Sequence, residues 1–174
     1  GFIFGAFMVY LSGAQQIFHN QYDLKEEFPT IFAGLSIAIG LAIFMNGHLV
    51  LRFGMKKMVT RSLYGFLGIA SLYIILYANR NNPDIWTLMV FLSLQFFAIG
   101  FLFGNLRALA MQPMGHIAGM AAAITGFIST VMAISISTYI GQFISTEVWP
   151  IFMGFTLCGA ISIVLLWLIN RLSQ

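Results

Sequence analysis

The side chains of this chain that could do chemistry are almost all uncharged. Gln95 stands between Leu94 and Phe96 in a long apolar run, and Tyr10, Gln15, Ser36, Asn105, Thr125 and Ser129 occupy comparable places in other runs. Carboxamides and hydroxyls at such positions offer hydrogen bonds without charge, which is the chemistry of orienting a small molecule. The same groups also bond between helices or back to helix carbonyls. Gln95 is the foremost of them. Facing lipid, its amide would lose its hydrogen bonds at a cost of a few kcal/mol, so it must meet protein or a wet cavity. Two readings stand side by side: an interhelical hydrogen bond, of about 0.6 kcal/mol, or a cavity wall. Gln15 and its neighbour Gln16 close the first apolar run, where they either sit at the membrane interface or look into a vestibule. Asn46 and His48 lie within about a turn of a basic stretch and are expected to bond helix ends.

Asp, Glu, Lys and Arg are missing from the interiors of the apolar runs, away from their ends. A proton or ion carrier site normally needs one there, so any such carboxylate is expected outside this chain. Catalysis has no better footing. There is no paired His/Glu metal spacing, no phosphate-binding glycine loop and no nucleophile elbow. Cys158 is the single cysteine, so neither an intrachain disulfide nor a cysteine metal cluster can form. The reading is therefore not an enzyme, with no catalytic residue, metal or cofactor expected. The formal net charge of +3 does not indicate nucleic acid, because the basic residues sit at the ends of apolar runs and not on a solvated face.

The elements that must position these groups follow from composition. Of 174 residues 60% are hydrophobic and 7% charged, against roughly a quarter charged in soluble domains. Only a bilayer can serve as solvent for that much apolar surface. Six runs near the crossing length of about 20 residues are read at about 2–18, 29–51, 59–78, 85–106, 116–143 and 149–170, within one unit of residues 1–174. Pro29 suits a helix start, and Asp84 an N-cap. Segments such as 37–45 are apolar all round, which fits helices and not the alternation of barrel strands. The fold class is thus an all-α membrane protein of six transmembrane helices. They divide as three plus three about the link 79–84, the layout of an inverted repeat. The chain opens at Gly1, inside an apolar run, which suggests a piece of a longer protein.

Orientation comes from the stretch 47–61, which holds Arg52, Lys56, Lys57 and Arg61 and no acid. Lys and Arg resist translocation, so this link is placed in the cytoplasm. Arg107 and Arg171 then fall inside as well. Outside lie Lys25, Arg80 and all five acids, in the links 19–28, 79–84 and 145–150. Both ends of the segment are accordingly cytoplasmic. Trp86, Trp149 and Trp167 stand near run ends, where indoles suit the headgroup zone. In the fifth run Gly115, Gly119, Ala122, Gly126, Ser129, Ala133 and Ser137 recur at three- and four-residue steps, one small-residue stripe on one face. Such a stripe packs helices closely, or lets one helix rock on another. The 18 Phe could line an apolar pocket or face lipid.

Two stretches resemble a known family. Gly47, three residues on Leu51 and Arg52, then Gly54, Lys56 and Lys57, is similar to the signature loop of the major facilitator superfamily, with Leu51 in place of the usual Asp. Asn105, the run 108–111, Pro113, Gly115, His116, Ala118 and Gly119 resemble the end of helix ten and start of helix eleven in its Bcr/CflA drug-resistance branch. The chain departs from that pattern at Gly104, Arg107 and Gln112. The resemblance implies helices seven to twelve, the C-terminal half of a twelve-helix transporter in the bacterial inner membrane. It implies alternating access around a small-molecule substrate, with the first, second, fourth and fifth spans facing the cavity. The N-terminal six-helix half and the lipid bilayer are then the partners. Proton-coupled efflux of small amphipathic or hydrophobic compounds is the expected activity. The alternatives are a metabolite or siderophore carrier of the same fold, or a six-helix scaffold that transports nothing.

Overall fold

A computed structural model describes residues 1–78, 82–144 and 147–172. Arg80 and the start of the link 145–150 lie outside the described residues. Among those described there are six α-helices: α1 (Phe2–Tyr22), α2 (Phe28–Phe53), α3 (Met55–Tyr77), α4 (Ile85–Met111), α5 (Ala118–Gly141) and α6 (Trp149–Leu172). No strand occurs among the described residues. Four helical stretches are long and apolar enough to cross a membrane: α2, α3, α6, and the continuous segment Ile85–Gly141 that contains both α4 and α5. The first helix is less apolar, because its last two turns hold Gln15, Gln16, His19, Asn20 and Gln21. The build is that of an integral multi-pass membrane protein.

Local chemistry explains where the helices begin and end. Pro29 occupies the first turn of α2, where a missing N–H leaves no bond unmade. Asp84 caps α4: its carboxylate accepts from the Thr87 N–H at 3.1 Å and from the Thr87 hydroxyl at 2.6 Å. The basic stretch is mostly helix, in contrast to the loop its composition suggests. α2 runs to Phe53 and α3 starts at Met55, so Gly54 alone turns the chain, at φ 81° and ψ 150°. That backbone conformation suits a residue without a Cβ. Between α4 and α5 the chain does not form an open loop either. A 3₁₀ segment, Gln112–Ile117, kinks it at Met114 (φ −112°, ψ 25°), next to Pro113.

Apart from α3 and α4, helices adjacent in sequence are not the main neighbours in space. α1 packs chiefly on α5 and α6, α4 on α2 and α3, and α3 on α6. α1 meets α4 more sparingly. Exchanging α1 with α4, α2 with α5, and α3 with α6 leaves this set of partners unchanged. The core runs along α1, α3, α4 and α6, around Tyr10, Phe18, Phe66, Tyr73, Phe96 and Phe152. α2 and α5 each bury only two residues: Leu35 and Ala42, and Ala121 and Ala133. α2 and α4 cross with their backbones in close approach. A Cβ built on Gly100 would stand 2.6 Å from Ala42 Cβ and 2.7 Å from the Ile39 carbonyl oxygen.

The two ends of the bundle differ. At one end hydrogen bonds tie three segments together. The Tyr22 hydroxyl donates to the Pro83 carbonyl at 2.8 Å, and Asn82 Nδ2 donates to Gln21 Oε1 at 2.5 Å. Asn82 Oδ1 in turn accepts from the Val148 N–H at 3.1 Å. The end of α1, the approach to α4 and the approach to α6 are thereby clasped. At the other end, where α1 begins and α4 finishes, the bundle opens.

Candidate functional site

That opening is a cavity of about 460 Å³ between the start of α1, the last turns of α4 and the first half of α5. Its volume falls within the range of small-molecule sites, roughly 300–1,000 Å³. Phe4 and Phe103 form an aromatic part of the wall, edge to face with centroids 6.2 Å apart. The aromatic packing continues inward through Phe7, 5.6 Å from Phe103 and 5.5 Å from Phe96, to Tyr10, 4.7 Å from Phe96. The α5 wall is small and polar: Thr125, Gly126, Ser129 and Thr130. Thr125 and Thr130 hold their hydroxyls on the backbone, on Ala121 O at 2.7 Å and Gly126 O at 2.9 Å. The Ser129 hydroxyl has no hydrogen-bond partner among the described residues. Arg107 adds a cation to the wall and makes no hydrogen bond or ion pair among them.

The residues singled out from sequence do not gather in one place. Thr125, Gly126 and Ser129 meet at the cavity. Gln95 turns the other way. It is fully buried against α3, where its Nε2 donates to the Phe66 carbonyl at 3.2 Å while Oε1 has no partner among the described residues. Asn105 is buried too and clasps α2: its Nδ2 donates to Asn46 Oδ1 at 2.7 Å, and Asn46 Nδ2 returns a bond to Asn105 Oδ1 at 3.2 Å. Tyr10 lies in the aromatic core, its hydroxyl unpartnered among the described residues. Ser36 is exposed on α2 and bonds back to the Phe32 carbonyl at 2.9 Å. Gln15 is exposed on α1.

The basic stretch forms a separate patch at the junction of α2 and α3. Gly47 is exposed on α2, and Gly54 makes the turn. Arg52 and Arg61 both lie over the Phe53 ring, each 5.4 Å from its centroid, so one aromatic ring holds two like charges. Lys56 and Lys57 border a shallow hollow beside Arg61.

The small-residue stripe on α5 divides along its length. A Cβ at Gly115, Gly119 or Gly126 would meet no atom within 4 Å, and Ala122 is half-buried, whereas Ala133 is fully buried. Close approach between α1 and α5 rests instead on α1 glycines: a Cβ at Gly5 would stand 2.7 Å from Ile136, and one at Gly13 3.0 Å from Ile144 beyond the end of α5. Sequence reasoning passed over these glycines, Gly100, the Asn46–Asn105 clasp and the Asn82 tie. The pairing of Gly5, Ala6, Gly13 and Ala14 in α1 was the available signal for the first of them.

Comparison with known proteins adds one likeness. Over 144 residues the chain is 26% identical to the uncharacterized MFS-type transporter YdgK of Bacillus subtilis (strain 168), a match that covers 81% of this chain and 35% of that protein. The chain thus spans well under half the length of the curated relative it matches. No protein-family model matches the chain. No solved structure matches it either.

Proposed function

We propose that this chain is the C-terminal six-helix half of a major facilitator transporter that works by alternating access. The observation that carries the reading is the cavity: it is walled by α1 and α4, the first helices of the two triplets, and by the hydroxyl-bearing face of α5. The likeness to an MFS-type transporter over most of the chain supports it. So does the exchange pattern of helix partners, which is what a three-plus-three inverted repeat produces. α2 and α5, which bury least here, are the faces on which the N-terminal half would dock, with α3 and α6 toward lipid. The basic patch at the α2–α3 junction supports an orientation with that end, both chain ends and the mouth of the cavity on the cytoplasmic side of a bacterial inner membrane, because Lys and Arg resist translocation.

The proposed activity is proton-coupled efflux of small amphipathic compounds. Neither α1, α4 nor α5 carries a carboxylate, so the proton site belongs to the other half. The test is flux in proteoliposomes holding the parent protein, driven by an imposed pH gradient, across a panel of amphipathic compounds. Gradient-dependent flux above protein-free liposomes is expected. A folded parent of mass near 19.3 kDa that moves none of the panel would leave the six-helix scaffold as the better reading.

A further inference from the structure

We infer that the cavity between α1, α4 and α5 takes a small amphipathic organic anion, with its anionic head on Arg107 and its apolar body against Phe4 and Phe103. The inference rests on the transport reading above and names the substrate class of that site. It starts from where the charges lie. Arg107 is the single charged side chain on the cavity wall among the described residues, and it has no acid beside it. All five acids of the chain stand toward the opposite end: Asp23, Glu26 and Glu27 after α1, Asp84 before α4, and Glu147 before α6. Asp84 and Arg107 are separated along α4 by about 35 Å at 1.5 Å per residue, beyond the roughly 8 Å over which exposed charges act at physiological salt. The charge that this chain contributes to the cavity is therefore positive, with no acid of its own beside it, and the apolar walls strengthen its field.

The rest of the wall suits the body of such a ligand. Ile3, Phe4, Phe103 and Leu106 supply apolar and aromatic surface. Ser129 offers a hydroxyl with no protein partner among the described residues, able to donate to a second oxygen of the head group. A guanidinium presents paired donors that match a carboxylate or sulfonate. A cation of the same shape would meet Arg107 with no acid to offset the repulsion. A neutral compound would gain a hydrogen bond from the guanidinium but not the ionic attraction.

The experiment uses the full-length parent in phosphatidylcholine nanodiscs and three probes with one aromatic body: 2-naphthoate, 2-naphthylmethanol and 2-naphthylmethylammonium. Equilibrium binding should favour naphthoate over the ammonium by about tenfold or more, the scale of one charge-assisted hydrogen-bonded pair. Arg107→Gln should weaken naphthoate by about tenfold and erase the preference, while Arg107→Lys should keep the anion ahead of the cation. Arg107 is exposed and unbonded among the described residues, so both variants should fold. Naphthoate binding that is indifferent to Arg107→Gln, or an ammonium bound as tightly as naphthoate, overturns the inference. Displacement of naphthoate by phosphatidylglycerol would assign Arg107 to a lipid head group and overturn it too. Parallel flux measurements separate the two readings. Arg107-dependent binding with no gradient-driven flux would count against transport and leave the anion site. Flux of amphipathic cations without Arg107-dependent anion binding would do the reverse.

Discussion

Gln95 keeps one arm of its carboxamide bonded to Phe66 O and leaves the other, Oε1, without a partner among the described residues. An interhelical bond of this kind contributes about 0.6 kcal/mol, whereas a buried acceptor left unpaired costs about 1–3 kcal/mol. Gln95→Met fills nearly the same shape and removes both terms. Its thermal midpoint in detergent should therefore equal or exceed that of the wild type. If flux falls while the midpoint holds, the carboxamide touches substrate and its role is more than structural. The Asn46–Asn105 clasp behaves differently, because both amides are paired. Asn105→Leu strands Asn46 and should cost about 1–3 kcal/mol. Replacing both by Leu should cost less than the sum of the single changes, a coupling that a double-mutant cycle measures. Sequence alone indicated that Gln95 must face something other than lipid, and its position on α4 follows from that. It did not indicate which neighbour, because a side chain's direction depends on how helices cross and not on the spacing within one helix. Arg107 was legible only as one more cytoplasmic cation. Its place on a cavity wall required the fold of α1 and α5 around it.

At the scale of the helix, backbone geometry decides where substitutions matter. Gly100 stands where α4 crosses α2, with the Ile39 carbonyl 2.7 Å from the position of an added Cβ. Backbone cannot give way as a flexible side chain does, so Gly100→Ala should destabilise by about 1–3 kcal/mol, the range of overpacked cores; a lowered thermal midpoint is the measurement. The Asp84 cap sets a pH dependence. Hydrogen bonds from the Thr87 side chain and then its backbone N–H hold the Asp84 carboxyl below its ordinary value of 3.8. A depressed folded-state pKa means that the cap stabilises α4 fully above 3.8, and that this contribution is lost as pH falls below it. Comparing midpoints of wild type and Asp84→Asn through that range should show their difference shrinking as the pH drops. Asp84 and Pro29 were readable because capping and N1 rules act within one turn. The single-residue junction at Gly54 was not. Four basic residues in a short stretch suggest a loop, yet a glycine at positive φ lets two helices meet without one.

For the molecule as a whole, the open question is what covers α2 and α5. Composition fixed the all-helical membrane class, and the positions of the apolar runs anticipated the helices closely. Neither could supply the order α2–α4–α3–α6–α1–α5 in which the helices pack, since that order joins segments far apart in the chain. The order leaves two glycines of α5 facing open space: a Cβ at Gly119 or Gly126 would meet nothing within 4 Å in this bundle. Gly68 on α3 is equally open and exposed. These positions separate docking from lipid contact. A leucine side chain is as apolar as a lipid tail, so a glycine that faces lipid should accept it within about 0.5 kcal/mol, as exposed sites generally do. Where a second helix bundle packs closely, the same change forces the helices apart. In the parent protein Gly119→Leu should therefore lower the thermal midpoint and reduce flux, while Gly68→Leu should leave both near wild type. If the two variants behave alike, α5 meets lipid and not the proposed N-terminal half.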